Sequence, residues 1–242
     1  MVEIIPAIIP RDIDDLQDKL IQIMPFAPIV QIDVTDGVFV KSQCWPYNIP
    51  GGDQAWHDIK EEKTGLPFWE KFDFEIDLMV ANPEVAAVEW IRAGAKRLII
   101  HIESTPDAVG LLRKLNKEYD AIKNSLMGLE IGIGVNVKTP NADIYKYFDE
   151  LDQNGLPLAD FVQFMGIRNV GFQGQEFDDT VILKIRDIRE KYPHVIISVD
   201  GGVTEDNAPS LLAAGVNRLV SGSAIFNAPS TAQAMEYFQN LE

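Results

Sequence analysis

The chain has 242 residues, 46% hydrophobic and 24% charged, with 21 Lys+Arg against 37 Asp+Glu for a net charge of −16. This composition supports a full hydrophobic core and excludes a predominantly disordered chain, and the single cysteine, Cys44, excludes a disulfide scaffold. No apolar run reaches the roughly 18 residues of a membrane span, the first residues lack a secretory layout, and the acidic balance argues against nucleic acid and anionic membrane as partners, so a cytoplasmic protein is expected.

Short β-branched runs alternate with longer amphipathic stretches along the chain. A strand at 4–9 precedes a helix at 12–23, and a strand at 29–34 precedes a long irregular segment. Strands at 74–79, 97–102 and 131–135 precede helices at 83–93, 107–119 and 141–151. Strands at 161–164, 195–199 and 218–220 precede helices at 179–192, 206–214 and 231–241. Pro83 after Asn82 suits a first helical turn, and Gly94 and Gly215 follow apolar stripes where a left-handed cap ends a helix. Eight strand–helix units imply parallel pairing, and in this length they predict one closed (β/α)8 barrel over 1–242 with a long loop insertion at about 41–70. That insertion holds Trp45, Trp56, Trp69 and the pair Gly51-Gly52, with room for a short helix. A loop so long and aromatic is expected to pack over the barrel mouth or a neighbouring subunit, and a homo-oligomer is expected.

In such barrels chemistry gathers at the C-terminal ends of the strands. Side chains two apart share a face, so Gln31 and Asp33 point together on the second strand and Glu75 and Asp77 on the third. The fourth strand ends at His101 and the seventh at Asp200. Acidic groups aimed into a barrel must be paired, metal-bound or protonated. Glycine-rich turns follow the last three strands: Gly171-Phe172-Gln173-Gly174, Gly201-Gly202 and Gly222-Ser223. Their backbone N–H groups form a candidate phosphate cradle, which lets an acidic chain bind an anion.

These residues resemble those of the ribulose-phosphate 3-epimerase family along nearly the whole chain. The resemblance runs through Pro6-Ala7-Ile8-Ile9, Ile32-Asp33-Val34-Thr35-Asp36-Gly37-Val38-Phe39-Val40 and Asp77-Leu78-Met79-Val80-Ala81-Asn82-Pro83. It continues in Gly134-Val135-Asn136-Val137-Lys138-Thr139-Pro140, Gly171-Phe172-Gln173-Gly174-Gln175-Glu176-Phe177, Val199-Asp200-Gly201-Gly202-Val203 and Gly222-Ser223-Ala224-Ile225-Phe226. It implies a barrel of the ribulose-phosphate-binding type and a small phosphorylated sugar as ligand. It further implies that Asp33 and Asp200 exchange a proton at C3 of a ketose phosphate through an enediolate, with a divalent metal in support. The departures fall mostly on the metal side. Gln31 and Asp77 stand where the family has metal-ligating histidines, Ala7 where it has a serine, Thr35 where it has a methionine, and Arg168-Asn169-Val170 where it has asparagine-proline.

Gln31, Asp33, Asp77 and Asp200 would form an all-oxygen ligand set suited to Mg²⁺, Mn²⁺ or Ca²⁺. Without a metal, at least one carboxylate of the cluster is expected to take up a proton, or Asp77 to pair with a lysine or arginine. His101 reads as a hydrogen-bonded histidine at the barrel mouth or a proton carrier, and Cys44 as a packing residue. The expected function is an epimerase-like proton transfer. The alternatives are another isomerase or aldolase reaction, or a phosphosugar-binding barrel without catalysis.

Overall fold

The computed structural model describes residues 2–125 and 128–241. Eight strands, β1 (Glu3–Ile8), β2 (Ile29–Thr35), β3 (Asp73–Met79), β4 (Ala95–His101), β5 (Glu130–Val135), β6 (Phe161–Met165), β7 (Ile196–Asp200) and β8 (Arg218–Ser221), pair in parallel in chain order, and β8 closes on β1. Around them lie α1 (Ile13–Ile23), α2 (Gln54–Lys60), α3 (Pro83–Arg92), α4 (Ala108–Glu118), α5 (Asp120–Lys123), α6 (Lys146–Asp149), α7 (Thr180–Lys191), α8 (Ala208–Ala214), α9 (Ser223–Phe226) and α10 (Thr231–Gln239). All eight expected strands form, with ends displaced by one or two residues. The first helix begins one residue late because Asp12 is its cap, accepting from the Asp15 amide at 2.7 Å.

The helix expected after β5 departs from expectation. In place of one helix over 141–151, a 3-10 turn (Asn141–Asp143) precedes the single turn of α6. The amides of Tyr147 and Phe148 donate to the carbonyls three residues back, Ile144 and Tyr145, and Leu151 has left the helix for an isolated bridge to Pro157. The short helices α5 and α9 carry too little periodicity to be read from sequence.

Alternation along each strand divides the packing into two environments. Outward residues such as Val30, Ile32, Val34, Ile76 and Leu78 join the large core between barrel and helices. The apolar cluster inside the barrel is small, made of Ile5, Ala7, Ile29 and Val220. Much of the rest of the barrel interior is polar. Near the N-terminal end, Arg97 reaches Glu3 at 2.8 Å and Glu75 at 3.5 Å, and Arg218 reaches Glu130 at 2.7 Å and Glu3 at 3.0 Å. Two glycines of β5 make room inside. A Cβ at Gly132 would lie 2.5 Å from the Phe161 ring, and one at Gly134 would lie 3.0 Å from the His101 ring.

The 41–70 segment folds back on its own barrel. Trp45 and Trp56 join Trp90 of α3 in a three-ring cluster with centroids 4.4–6.1 Å apart. Edge-to-face and tilted contacts of this kind add to the burial of large apolar area. The Cys44 thiol is buried and donates to the Asp33 carbonyl at 3.2 Å, so this segment braces the end of β2. Trp69 does not join the cluster and is 62% exposed.

Glu75 offers a test of this interior. Burial pushes its carboxyl up to about 7, although Arg97 and Arg218 pull the other way. Between the ordinary carboxylate value of about 4.5 and about 7, the native state therefore holds a proton that the unfolded chain has released. Stability should fall as pH rises through that window, by up to about 3 kcal/mol. Glu75→Gln should flatten the slope in urea denaturation between pH 5 and 8, and an unchanged slope would place the proton elsewhere.

Candidate active site

The C-terminal ends of β2, β3, β4 and β7 bring the polar interior residues together. Asp33 lies opposite Asp77 in the β2–β3 register, while β7 supplies Asp200 from the far side of β1 and β8. One carboxylate oxygen from each of Asp33, Asp77 and Asp200 lies within 4.8 Å of the others, and all three residues are buried. The Gln31 amide nitrogen donates to Asp33 Oδ1 at 2.7 Å and to Asp200 Oδ2 at 2.8 Å. His101 Nε2 lies 2.9 Å from Asp77 Oδ1, and Gln163 Nε2 donates to Asp77 Oδ2 at 3.3 Å. Ser198 Oγ donates to Gln163 Oε1 at 3.1 Å, which holds that amide in place.

Asp77 thus pairs with a histidine, correcting the expectation of a lysine or arginine. Arg97, on the same strand as His101, is drawn instead to the glutamates lower in the barrel. His101 is the hydrogen-bonded histidine at the mouth, packed against the Phe39 ring at 5.5 Å. Its Nδ1 lies 3.8 Å from Glu103, whose carboxylate also accepts from the Asn136 amide at 2.9 Å.

The electrostatics follow from this burial. Burial and the charges of Asp200 and Asp77 hold the Asp33 carboxyl well above its usual range, against the pull of the Gln31 amide. Burial and the Asp77 charge push Asp200 up to about 7. Burial alone would lower His101, but the charge and hydrogen bond of Asp77, helped by Glu103, raise it to about 10. The imidazole is therefore protonated at neutral pH and balances one carboxylate. Both carboxyl groups thus hold a proton more tightly than a carboxylate in water.

Asp33 and Asp200 line one cavity of about 30 Å³ together with Gly171, Phe172, Gln173, Gly174, Gly201, Gly202, Gly222 and Ser223, the residues of all three glycine turns. Gln31 and Asp77 are fully buried and do not line it. Gly202 has φ +70°, and a Cβ there would lie 2.9 Å from Phe177 Cα, so the backbone itself forms this wall. Gln173 Nε2 crosses to the Ala7 carbonyl at 3.0 Å, tying the β6 turn to the end of β1. Asp36 ties two further loops, accepting from the Val38 amide at 2.8 Å and the Ala81 amide at 2.8 Å. Gln163 and Ser198 were not singled out from sequence. Their one signal was a polar residue inside an otherwise apolar strand.

Three carboxylates with converging oxygens suit a hard divalent cation. Gln31 does not present its oxygen to this cluster. Its Oε1 is buried without a hydrogen-bond partner among the described residues.

The fold and site define a (β/α)8 barrel with a buried carboxylate cluster beside glycine-rich turns. Residues 3–226 match the ribulose-phosphate 3 epimerase family, and the chain belongs to that family. It is 34% identical over 211 residues to the chloroplastic ribulose-5-phosphate-3-epimerase of Arabidopsis thaliana, covering 86% of this chain and 65% of that protein. It is 30% identical over 232 residues to ribulose-phosphate 3-epimerase of Bacillus subtilis, covering 93% of each. Among solved structures, 3-keto-L-gulonate-6-phosphate decarboxylase from Vibrio cholerae superposes with a TM-score of 0.66 at 12% identity, covering 99% of this chain and 95% of that one. The 3-hexulose-6-phosphate synthase of Salmonella typhimurium gives 0.65 at 14% identity, covering 97% and 95%. At these identities the two structures speak for the fold alone.

His101 should remain an imidazolium through pH 8, visible in its ring ¹⁵N shifts. Its stabilising contribution is complete below about 6.5 and is lost as pH rises through about 10. His101→Asn should cost about 3–5 kcal/mol near neutral pH by leaving Asp77 buried without its counter-charge, and much less in an Asp77→Asn background. A neutral ring at pH 8 would overturn the assignment.

Proposed function

We propose that this protein catalyses 1,1-proton transfer at C3 of a ketose phosphate, with Asp33 and Asp200 as the acid–base pair. The observation that carries this reading is the placement of two buried, amide-bridged carboxyl groups from β2 and β7 in the same cavity as three glycine turns. In this reading the phosphate lies on backbone N–H groups of Gly171-Phe172-Gln173-Gly174, Gly201-Gly202 and Gly222-Ser223. Backbone dipoles attract an anion locally whatever the net charge of the chain. The Gln173 side chain holds the β6 turn against the end of β1 at the wall of this cavity.

With the sugar between them, the ionised member of the pair removes the C3 proton from one face. The protonated member returns one to the other face, inverting the centre and leaving the pair with its proton exchanged. Asp33, Asp77 and Asp200 would hold a divalent cation such as Mg²⁺ or Mn²⁺, and the chemistry it supplies when bound is Lewis-acid stabilisation of developing negative charge. His101 and Gln163 keep Asp77 oriented. The homo-oligomer expected from the sequence stays a proposal, which light scattering of the purified protein would decide.

Ribulose 5-phosphate in D₂O is the direct test. The protein should place deuterium at C3, and Asp33→Asn and Asp200→Asn should each slow exchange by about 10²–10⁴-fold. The rate should fall on both sides of neutrality, on the acid side because both groups are protonated and on the basic side because both are ionised. Absence of exchange at every divalent metal concentration would reject the proposal. Stabilisation by phosphosugars without turnover would then favour the non-catalytic binding protein.

A further inference from the structure

We propose that Gln31 is the positioning residue of the acid pair and acts through its amide N–H groups, one on Asp33 and one on Asp200, not as an oxygen ligand to a cation. The inference rests on the proton-transfer reading above.

The geometry leaves little freedom in how this amide is oriented. Its nitrogen sits 2.7 Å from Asp33 Oδ1 and 2.8 Å from Asp200 Oδ2. An amide oxygen at those distances would face carboxylate lone pairs on both sides, whereas NH₂ has one hydrogen for each. The remaining oxygen, Oε1, is buried with no partner among the described residues and does not face either acid. The third carboxylate makes no demand on Gln31, because His101 and Gln163 donate to Asp77. Each acid of the cluster thus receives a hydrogen bond from the chain itself.

The reach of this one side chain depends on its neighbour in β1. Ala7 lies opposite Gln31 in the β1–β2 register, and its methyl group leaves the amide free to cross towards β7. Gln31 thereby joins two acids whose strands are separated by β1 and β8. Two hydrogens on one nitrogen hold the two carboxyl groups in a fixed relation to each other. This is a task a cation-free amide can perform and an imidazole ligand at the same place would not.

Gln31→Glu separates the two roles, because it keeps an oxygen at the same reach and removes both N–H donors. The expected result is a fall in kcat of about 100-fold or more with little change in KM, while Mn²⁺ binding, read from the free-Mn²⁺ resonance signal, stays equal or tightens. Recovery of kcat by Gln31→Glu at saturating Mg²⁺ or Mn²⁺ would overturn the proposal, since the side chain would then act through oxygen.

A second measurement does not depend on turnover. In protein labelled with [¹⁵N]glutamine, the Gln31 NH₂ pair is the one missing from Gln31→Glu, or from Gln31→Met where the former does not fold. Both protons should be protected from solvent exchange in EDTA and in excess Mg²⁺ alike. A pair that exchanges freely in either condition would reject the amide role. Absence of C3 exchange in the unaltered protein would instead reject the proton-transfer reading and leave this spectrum to decide for Gln31.

Discussion

An inward-facing charge in a closed barrel reaches water only at the two ends, so charges held between them need partners inside. This constraint organises the molecule. Near the N-terminal end two guanidinium groups stand among three glutamates, and Arg218 also stacks on the Phe161 ring at 4.9 Å. Towards the C-terminal end one imidazolium and two side-chain amides serve three aspartates. Breaking one such pair leaves an uncompensated buried charge, which costs far more than the pair itself contributes. The interior is therefore a set of linked requirements.

The same constraint supplies the chemistry. A carboxyl group in water holds a proton too weakly to return it at neutral pH. Burial and neighbouring negative charge hold Asp33 above its usual range and raise Asp200 to about 7, which in the proposed reaction lets one be ionised while the other is not. Partners that shared the charge fully, such as two further arginines, would abolish that property. The partial compensation by one amide and one distant imidazolium leaves the pair perturbed yet tolerable. In the proposed reading the glycine turns complete the logic, because backbone N–H groups let an acidic chain meet an anion without basic side chains.

Much of this was legible in the residues. Eight β-branched runs separated by amphipathic stretches led to the closed barrel, and polar residues at strand ends together with three glycine turns marked the mouth. Alternation put Gln31 beside Asp33 and Glu75 beside Asp77, and the family resemblance drew Gln31, Asp33, Asp77 and Asp200 together as one set. Two things were not legible. The 141–151 stretch has helical periodicity, yet its backbone tightens to a 3-10 turn and then bridges at Leu151, because packing overrides a weak local preference. Gln163 and Ser198 gave no signal beyond single polar interruptions, since their role lies wholly in orienting a residue on another strand.

The sequence by itself determined the barrel, its strand order and which side chains face inward, because strand periodicity is local and consecutive parallel strands joined by helices pair in chain order. Only the tertiary structure decided who pairs with whom. That Asp77 takes His101 and not a lysine, that Gln31 spans Asp33 and Asp200, and that Trp45 and Trp56 close on Trp90 are matters of distance between residues far apart in the chain. Chemistry at the site depends on those distances, and no spacing along a single strand encodes them.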